Sequence, residues 1–287
     1  MGHPQVAAFA RLAEGSAKAI RAIAGQNTLF ARTIHDMAYD PVRDEIVVPQ
    51  FYAFAILTFR GDANGDVAPV RKIFGPSTQL KNPQRLAVDP VHGEIFVPQE
   101  DAVLVFPRDA NGDVAPIRIL KGPKTGFPES NISSSSLAVD PVNNLLIVSA
   151  TTKSRPGEQE RREEGVEDIG GGEGQLLIFN RTDSGNAAPR AVIAGPHTKL
   201  RSGRMSVYPQ RGYILVGASG GRSSPEGFVG VWSIRDRGDV PPLWTIGGPN
   251  GQLRDIRGVD VDVKNKSVII SDKYLNAVLT YSFPEIF

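Results

Sequence analysis

Apolar and polar residues alternate in short blocks along the chain, and the block from residue 85 to 122 shows the pattern most clearly. It contains four apolar runs, at Leu86–Val88, Glu94–Pro98, Ala102–Phe106 and Ile117–Leu120. The segments between them are rich in Asp, Asn, Gly and Pro, which favour turns. Runs of about 4–6 residues bounded by such turns predict an antiparallel meander. We designate its four strands A to D in chain order.

The same block recurs along the chain, as two independent markers show. The first marker is an Asp-Pro turn after strand A, intact or degraded at five positions: Asp40, Asp89, Asp140, Tyr208 and Asp262. The second is a Gly-Pro pair after strand D, degenerate in its first copy: Gly25, Gly75, Gly122, Gly195 and Gly248. A period of roughly 50 residues built from four strands is typical of a β-propeller.

The repeats at the two ends of the chain are incomplete. The first residues supply strands C and D, and the chain ends with strands A, B and C at Val259–Asp262, Val268–Asp272 and Ala277–Phe283. We therefore predict an all-β propeller of four-stranded blades, five by direct count, closed by strands from both termini. This count leaves one C-like strand around Ala7–Arg11 in excess, and a six-bladed ring is the alternative. Local propensity in this Ala-rich segment favours a helix, but the repeat predicts strands.

One long insertion interrupts the third repeat between its B and C strands. The segment Lys153–Gly174 is charged, rich in Gly and nearly free of large apolar residues, so it buries too little surface to order itself strongly. We predict a single propeller domain over residues 1–287 with a flexible, charged insertion at 153–174. The insertion is either a tolerated surface loop or a lid or partner-recognition segment.

Composition narrows the function classes further. The formal net charge is +1, so charge favours neither nucleic acid nor an acidic membrane as a partner. The chain has no cysteine, which excludes disulfides, zinc-thiolate sites, iron–sulfur clusters and thiol catalysis. No apolar run approaches the roughly 18 residues of a membrane span, and no secretory signal is visible.

The order LAVD, EIFVPQ, AVLVF and IRILKG in the block at 85–122 resembles the NHL-type propeller repeat. NHL repeats similarly run from a GVAVD-like inner strand through an IYVAD-like strand to a VQVF-like strand. The resemblance implies a binding module, a scaffold or a calcium-dependent hydrolase or lactonase of the six-bladed class, and it slightly favours a secreted or periplasmic protein. The C–D connection here is longer, with a DANGDVAP element, and the direct count is five. Because one fold serves many functions, the resemblance does not select among them.

Candidate binding residues lie where propellers commonly hold ligands, at the channel mouth and in the B–C loops. At the channel mouth, the residue before each inner strand gives Asp36, Arg85 and Arg204, with Arg257 beside the last strand. Arginines with a single carboxylate suit an anionic ligand or internal ion pairs. In the B–C loops, Tyr52, Gln99 and Tyr274 suit a sugar or a peptide, or pack against their own loops.

The acidic DANGD segments, Asp62–Asp66 and Asp109–Asp113, resemble the start of a calcium loop. Position 12 of each is apolar, Ile73 or Leu120, where an EF-hand needs a bidentate carboxylate. A tight turn with Asn-Gly at positive φ explains them better. The sequence thus indicates no metal, no cofactor and no catalytic residue.

Three functions remain. The sequence favours a non-catalytic binding module, extracellular by family resemblance, for protein–protein interaction or for a small anionic or sugar ligand. The first alternative is a structural subunit that self-assembles into an oligomer or polymer through an unpaired terminal strand. The second is a calcium-dependent hydrolase or lactonase, which rests on the fold resemblance alone. The sequence favours a protein that is not an enzyme, without deciding the question.

Overall fold

The structure is a computed structural model that describes residues 4–132, 136–152, 174–201, 203–219 and 227–287. Its residues form two compact units. One consists of Met1–Gln99 with Val103–Ile119, and the other of Glu100–Ala102 with Leu120–Phe287. Residues 153–173, which hold nearly all of the predicted insertion, lie outside the described residues.

The first unit opens with a hairpin of two paired strands, β1 (Gln5–Ala8) and β2 (Arg21–Ala24). Blade 1 follows with β3 (Ala38–Asp40), β4 (Glu45–Gln50), β5 (Ala55–Arg60) and β6 (Arg71–Phe74). Blade 2 consists of β7 (Ala87–Asp89), β8 (Glu94–Pro98), β9 (Ala102–Pro107) and β10 (Arg118–Lys121). In each blade the strands are hydrogen bonded in chain order.

The second unit holds three blades. Blade 3 consists of β11 (Ser130–Asn131), β12 (Leu137–Asp140), β13 (Leu145–Thr152), β14 (Gly174–Asn180) and β15 (Ala191–Ala194). Blade 4 has β16 (Gly203–Tyr208), β17 (Tyr213–Ala218), β18 (Phe228–Ser233) and β19 (Trp244–Gly247). Blade 5 has β20 (Ile256–Asp262), β21 (Ser267–Asp272) and β22 (Ala277–Ser282).

These sheets confirm the predicted all-β, five-bladed propeller. The repeat also predicted the N-terminal segment correctly, because it forms two strands, although local propensity favours a helix there. In the described strands, blade 5 is a three-stranded sheet and the N-terminal hairpin a two-stranded one. Closure by strands from both termini therefore stays a prediction.

The apolar core consists of clusters that join one blade to the next. In the first unit, Ile56 and Ile73 of blade 1 pack with Ile95 and Phe106 of blade 2. In the second unit, a corresponding cluster joins blade 3 to blade 4: Ile147, Ile178, Ile193, Ile214 and Trp232. Each blade thus buries its apolar face against neighbouring blades, as expected for a repeat protein.

A buried aspartate ends the A strand of each of the first three blades. Asp40, Asp89 and Asp140 are fully buried, and each carboxylate accepts hydrogen bonds from the backbone N–H groups of the turn that follows. Asp40 also accepts a 2.8 Å hydrogen bond from the Arg108 guanidinium of blade 2. The Asp-Pro marker is therefore a turn cap, and in blade 1 it is also a buried link to the next blade.

Among the helical segments of the described residues, none combines the length and the apolar character that crossing a membrane requires.

Candidate functional site

The channel-mouth residues of the first unit make contacts between blades 1 and 2. Arg85 is 5% exposed, and its guanidinium donates a hydrogen bond to the backbone carbonyl of His35 in the preceding blade. The Asp36 carboxylate accepts a 3.3 Å hydrogen bond from the backbone N–H of Leu86. Both residues thus take part in holding adjacent A strands together.

The second unit repeats this contact with different side chains. Ser136, which occupies the position of Asp36, accepts a 3.2 Å hydrogen bond from the Met205 N–H. Arg204 is 9% exposed, and Arg257 forms a 3.0 Å ion pair with Asp255. The predicted arginines are therefore buried or paired within the protein, and in the described residues they do not form an exposed cationic surface.

Gln99 is buried, and its side chain caps a backbone N–H group of the connection between blades 1 and 2. It is 5% exposed at the end of strand β8. Its carboxamide oxygen accepts a 2.6 Å hydrogen bond from the Lys81 N–H, and its NH₂ group donates to the Pro98 carbonyl at 2.8 Å. Gln50 caps the Ala31 N–H in the same way in blade 1, and Asp272 caps the Arg254 N–H in blade 5.

Replacing Gln99 by Ala is expected to destabilise the protein by about 2 kcal/mol, because it leaves the Lys81 N–H without its acceptor. Urea unfolding measures the change. Glu100→Ala, next to it but exposed, is the control and should change the free energy of unfolding by less than about 0.5 kcal/mol. Equal effects of the two substitutions would show that Gln99 is not a cap.

The two tyrosines of the predicted site occupy equivalent, exposed turns. Tyr52 follows β4 and is 55% exposed, while Tyr274 follows β21 and is 68% exposed. Each turn ends in a residue with positive φ, Phe54 at 50° and Asn276 at 51°. The Tyr52 ring stacks edge-on against Phe51, with 4.8 Å between the ring centroids. These turns present apolar surface to solvent, which the other five predicted residues do not.

The DANGD segment of blade 2 binds the D strand of blade 1. In blade 2, Gly112 donates to the Lys72 carbonyl at 2.7 Å and accepts from the Phe74 N–H at 3.1 Å. The Asn111 carboxamide accepts a 3.0 Å hydrogen bond from the Lys72 N–H. We call Asn111–Asp113 and its equivalents in blades 1, 3 and 4 the latch. Gly65 and Gly112 have φ of 78° and 82°, as predicted for the glycine of the turn, but Asn64 and Asn111 do not have the positive φ that was also predicted.

The last residue of the latch caps the Gly-Pro element. The Asp113 carboxylate accepts from the Ser77 N–H at 2.7 Å, beside Gly75 at φ 123°. The same 2.7 Å contact recurs three times: Asp66 to Asn27, Asn186 to Lys124, and Asp239 to His197. The latch and the Gly-Pro element thus bind each other in one contact between blades. We did not predict this contact from the sequence. The signal available in the sequence was that a DANGD or related segment follows each of these Gly-Pro elements in the next repeat.

The latch of blade 4 includes a contact between a carboxylate and a histidine. Asp239 also contacts the imidazole Nδ1 of His197 at 2.6 Å. Desolvation raises the pKa of Asp239, but its hydrogen bonds with His197 and the charge of that residue outweigh this effect and lower the pKa below its ordinary value. The latch is therefore stabilising above the ordinary carboxylate pKa, and its contribution is lost as the pH falls through the lowered pKa.

A carboxyl-carbon NMR titration should place the midpoint of Asp239 below the ordinary carboxylate value in the native protein. Substituting His197 by Ala is expected to raise that midpoint toward the ordinary value, since the hydrogen bond to Nδ1 is removed. Asp239→Asn, which copies the natural Asn186 latch, serves as control because its blade-4 latch carries no titrating carboxylate. A midpoint that His197→Ala leaves in place would contradict this assignment.

A cavity of about 620 Å³ opens at blade 4 in the second unit, lined by that blade and by the connections before and after it. Its apolar wall includes Phe228, Pro241 and Pro242, and its cationic wall includes Lys199 and Arg201. None of the described lining residues is acidic. The sequence analysis did not predict this cleft, because its walls come from five separate stretches of the chain.

The blades define this protein as a β-propeller, and the comparison with solved structures agrees with this class. No family profile matches the chain, and no curated protein sequence does.

Among solved structures, Kuenenia stuttgartiensis hydrazine synthase is similar, with 11% identity and a TM-score of 0.58 over 94% of this chain and 68% of that one. A protein from Desulfotomaculum acetoxidans, described as functionally unknown, has 10% identity and a TM-score of 0.53 over 93% and 69%. The β-propeller domain of Myceliophteria thermophila Cps50 (Swd1) has 10% identity and a TM-score of 0.50 over 85% and 63%. Identities this low establish a shared fold and nothing about activity.

Proposed function

We propose that this propeller is a non-catalytic interaction module that recognises a protein segment through its exposed B–C turns. The observation that carries the proposal is the contrast within the predicted site. Gln99 and Arg85 are buried in contacts between blades, whereas Tyr52 and Tyr274 are more than half exposed. Aromatic side chains on rigid turns supply contact area at low cost in conformational entropy, as they do in other binding loops.

The neighbours of each tyrosine support this assignment. Phe54 is 50% exposed beside Tyr52, and Leu275 is 37% exposed beside Tyr274. Each pair forms a small apolar patch at the end of a strand, where a rigid blade positions it. The NHL-like repeat order also fits a binding module, and we include an NHL-type relationship in this proposal.

A peptide library displayed on phage tests the proposal. The wild-type protein should enrich related peptides that bind with micromolar affinity, and Tyr52→Ser or Tyr274→Ser should weaken this binding at least tenfold. Val142→Ser is the matched control, because Val142 is 62% exposed on an A–B turn. Absence of enrichment, or equal binding to all the variants, would rule out the turns as the recognition surface.

Self-assembly through a blade edge is a second candidate, favoured by one observation. Strand β22 ends the three-stranded sheet of blade 5, and Val278 on it is 68% exposed. An edge strand with an exposed apolar side chain can pair with a strand of another copy. Sedimentation at increasing concentration should then show oligomers that Val278→Lys abolishes and Val142→Lys does not. A monomer at millimolar concentration would dispose of this candidate.

A further inference from the structure

The cleft at blade 4 lies where the repeat lacks one of its caps. The registers of the A–B strand pairs align Ala218 of blade 4 with Gln50, Gln99 and Asp272. Each of those three side chains accepts a hydrogen bond from a backbone N–H, that of Ala31, Lys81 or Arg254 respectively. Each of these donors stands six residues after the glycine of the preceding Gly-Pro element or of its degenerate copy. Ala218 has no side-chain acceptor, and it lines the cleft.

Blade 3 shows why the missing cap matters. It also has an alanine at this position, Ala150, but the residue it would cap is Pro128, which has no N–H. In blade 4 the corresponding residue is Arg201, whose N–H is intact and has no hydrogen-bond acceptor among the described residues. A backbone donor beside a cavity bonds to the protein, to water or to a ligand, so the Arg201 N–H is open to a ligand that displaces water.

The walls of the cleft indicate the chemistry of such a ligand. Lys199 and Arg201 provide two exposed cationic side chains, and His197 at the rim is paired with Asp239. Phe228, Pro241 and Pro242 provide apolar surface in the same cleft. An oxygen acceptor at the position of the missing Gln carboxamide would therefore gain most if it carried negative charge and an apolar group.

We propose that this cleft binds a carboxylate attached to an apolar group, with one carboxylate oxygen replacing the missing cap at the Arg201 N–H. Lys199 and the Arg201 guanidinium stabilise the charge, and Phe228 with the two prolines contacts the apolar group. The carboxylate belongs either to a free small molecule or to an acidic residue of a peptide. The site uses none of the residues of the Tyr52 and Tyr274 turns, so it stands independently of the function proposed above.

The experiment measures binding of two probes by NMR titration of the full chain. The first probe is 3-phenylpropionate, and the second is a capped Phe-Glu dipeptide, so the two represent the two sources. We expect at least one to shift the Arg201 amide and the Phe228 ring saturably. The uncharged 3-phenylpropanamide and the cationic 3-phenylpropylamine should bind at least tenfold more weakly.

Ala218→Gln restores the cap of blades 1 and 2 and is the central variant. It should weaken probe binding at least tenfold while raising the thermal unfolding midpoint, because the Arg201 N–H gains an internal acceptor. A second pair of variants covers the case in which Gln does not fit. Arg201→Pro, which reproduces the situation at Pro128, removes the N–H, whereas Arg201→Ala keeps the N–H and removes only the cation.

We expect Arg201→Pro to weaken binding more than Arg201→Ala does. Binding that is unchanged in both Ala218→Gln and Arg201→Pro would overturn the proposal. Equal binding of the charged and uncharged probes would also overturn it, as would the absence of saturable binding by either carboxylate up to millimolar concentration.

Discussion

Substituting Gly75 by Ala is expected to destabilise the protein by about 3 kcal/mol. Two effects of similar size, backbone strain and a steric collision, add up to this loss. Gly75 has φ 123°, a conformation that costs an L-residue about 1–3 kcal/mol. Its new Cβ would also lie 2.5 Å from the Asp113 carboxyl carbon, so the latch of blade 2 would have to move and lose its bond to Ser77. Urea unfolding followed by tryptophan fluorescence measures the loss.

Gly112→Ala separates the two effects. Gly112 also has positive φ, 82°, but nothing lies within 4 Å of the position of its Cβ. Its substitution should therefore cost only about 1 kcal/mol of backbone strain. Adding Asp113→Gly to Gly75→Ala removes the collision, so the double variant should lose less than the sum of the single losses. If all of these losses simply add, Gly75 and the latch are not coupled.

Replacing Arg108 by Met is expected to cost about 3–5 kcal/mol, because it leaves the fully buried Asp40 carboxylate without its cationic partner. The Val42 N–H still donates to Asp40, but backbone donors do not supply the positive charge. The free energy of unfolding at neutral pH measures the effect.

An exposed ion pair between the same two blades is the matched control. Arg43 and Asp109 approach within 3.2 Å, but their side chains are 45% and 63% exposed. Arg43→Ala should therefore cost less than about 1 kcal/mol. Replacing Asp40 by Asn together with Arg108→Met should recover part of the larger loss, since the buried charge is removed with its partner. A small effect of Arg108→Met alone would mean that Asp40 does not depend on this arginine.

Some of the predicted site residues could be placed from their own strand and turn, and others could not. Tyr52 and Tyr274 each stand two residues after a strand and carry large side chains on short turns, so the strand pattern alone predicts them at exposed positions. Gln99 occupies a similar place in the sequence, yet its carboxamide bonds to Lys81 of the D–A connection. Nothing within its own strand and turn distinguishes a capping glutamine from a binding one.

The latch likewise has one part that the local sequence predicts, its turn, and one part that it does not predict, its contact with the preceding blade. The turn in DANGD and the positive φ of its glycine follow from local preferences, and both were predicted. Its contact with the Gly-Pro element of the preceding blade joins residues 36 positions apart, as Asp113 and Ser77 do. Only packing of one blade on the next brings those groups together.

From the sequence alone one could predict the strands, their turns and, by direct count, five blades with six as the alternative, because strand length, turn chemistry and repeat period are recorded within roughly 50 residues. The tertiary structure decided which polar side chains hold blades together and which remain exposed. It also revealed the cleft at Ala218, whose walls come from distant segments. The missing cap is visible in the sequence only after the strand registers show that Ala218 stands where Gln50 and Gln99 do. The physical reason is that a hydrogen-bond partner is a property of three-dimensional neighbours, and a sequence pattern records only those neighbours that lie close along the chain.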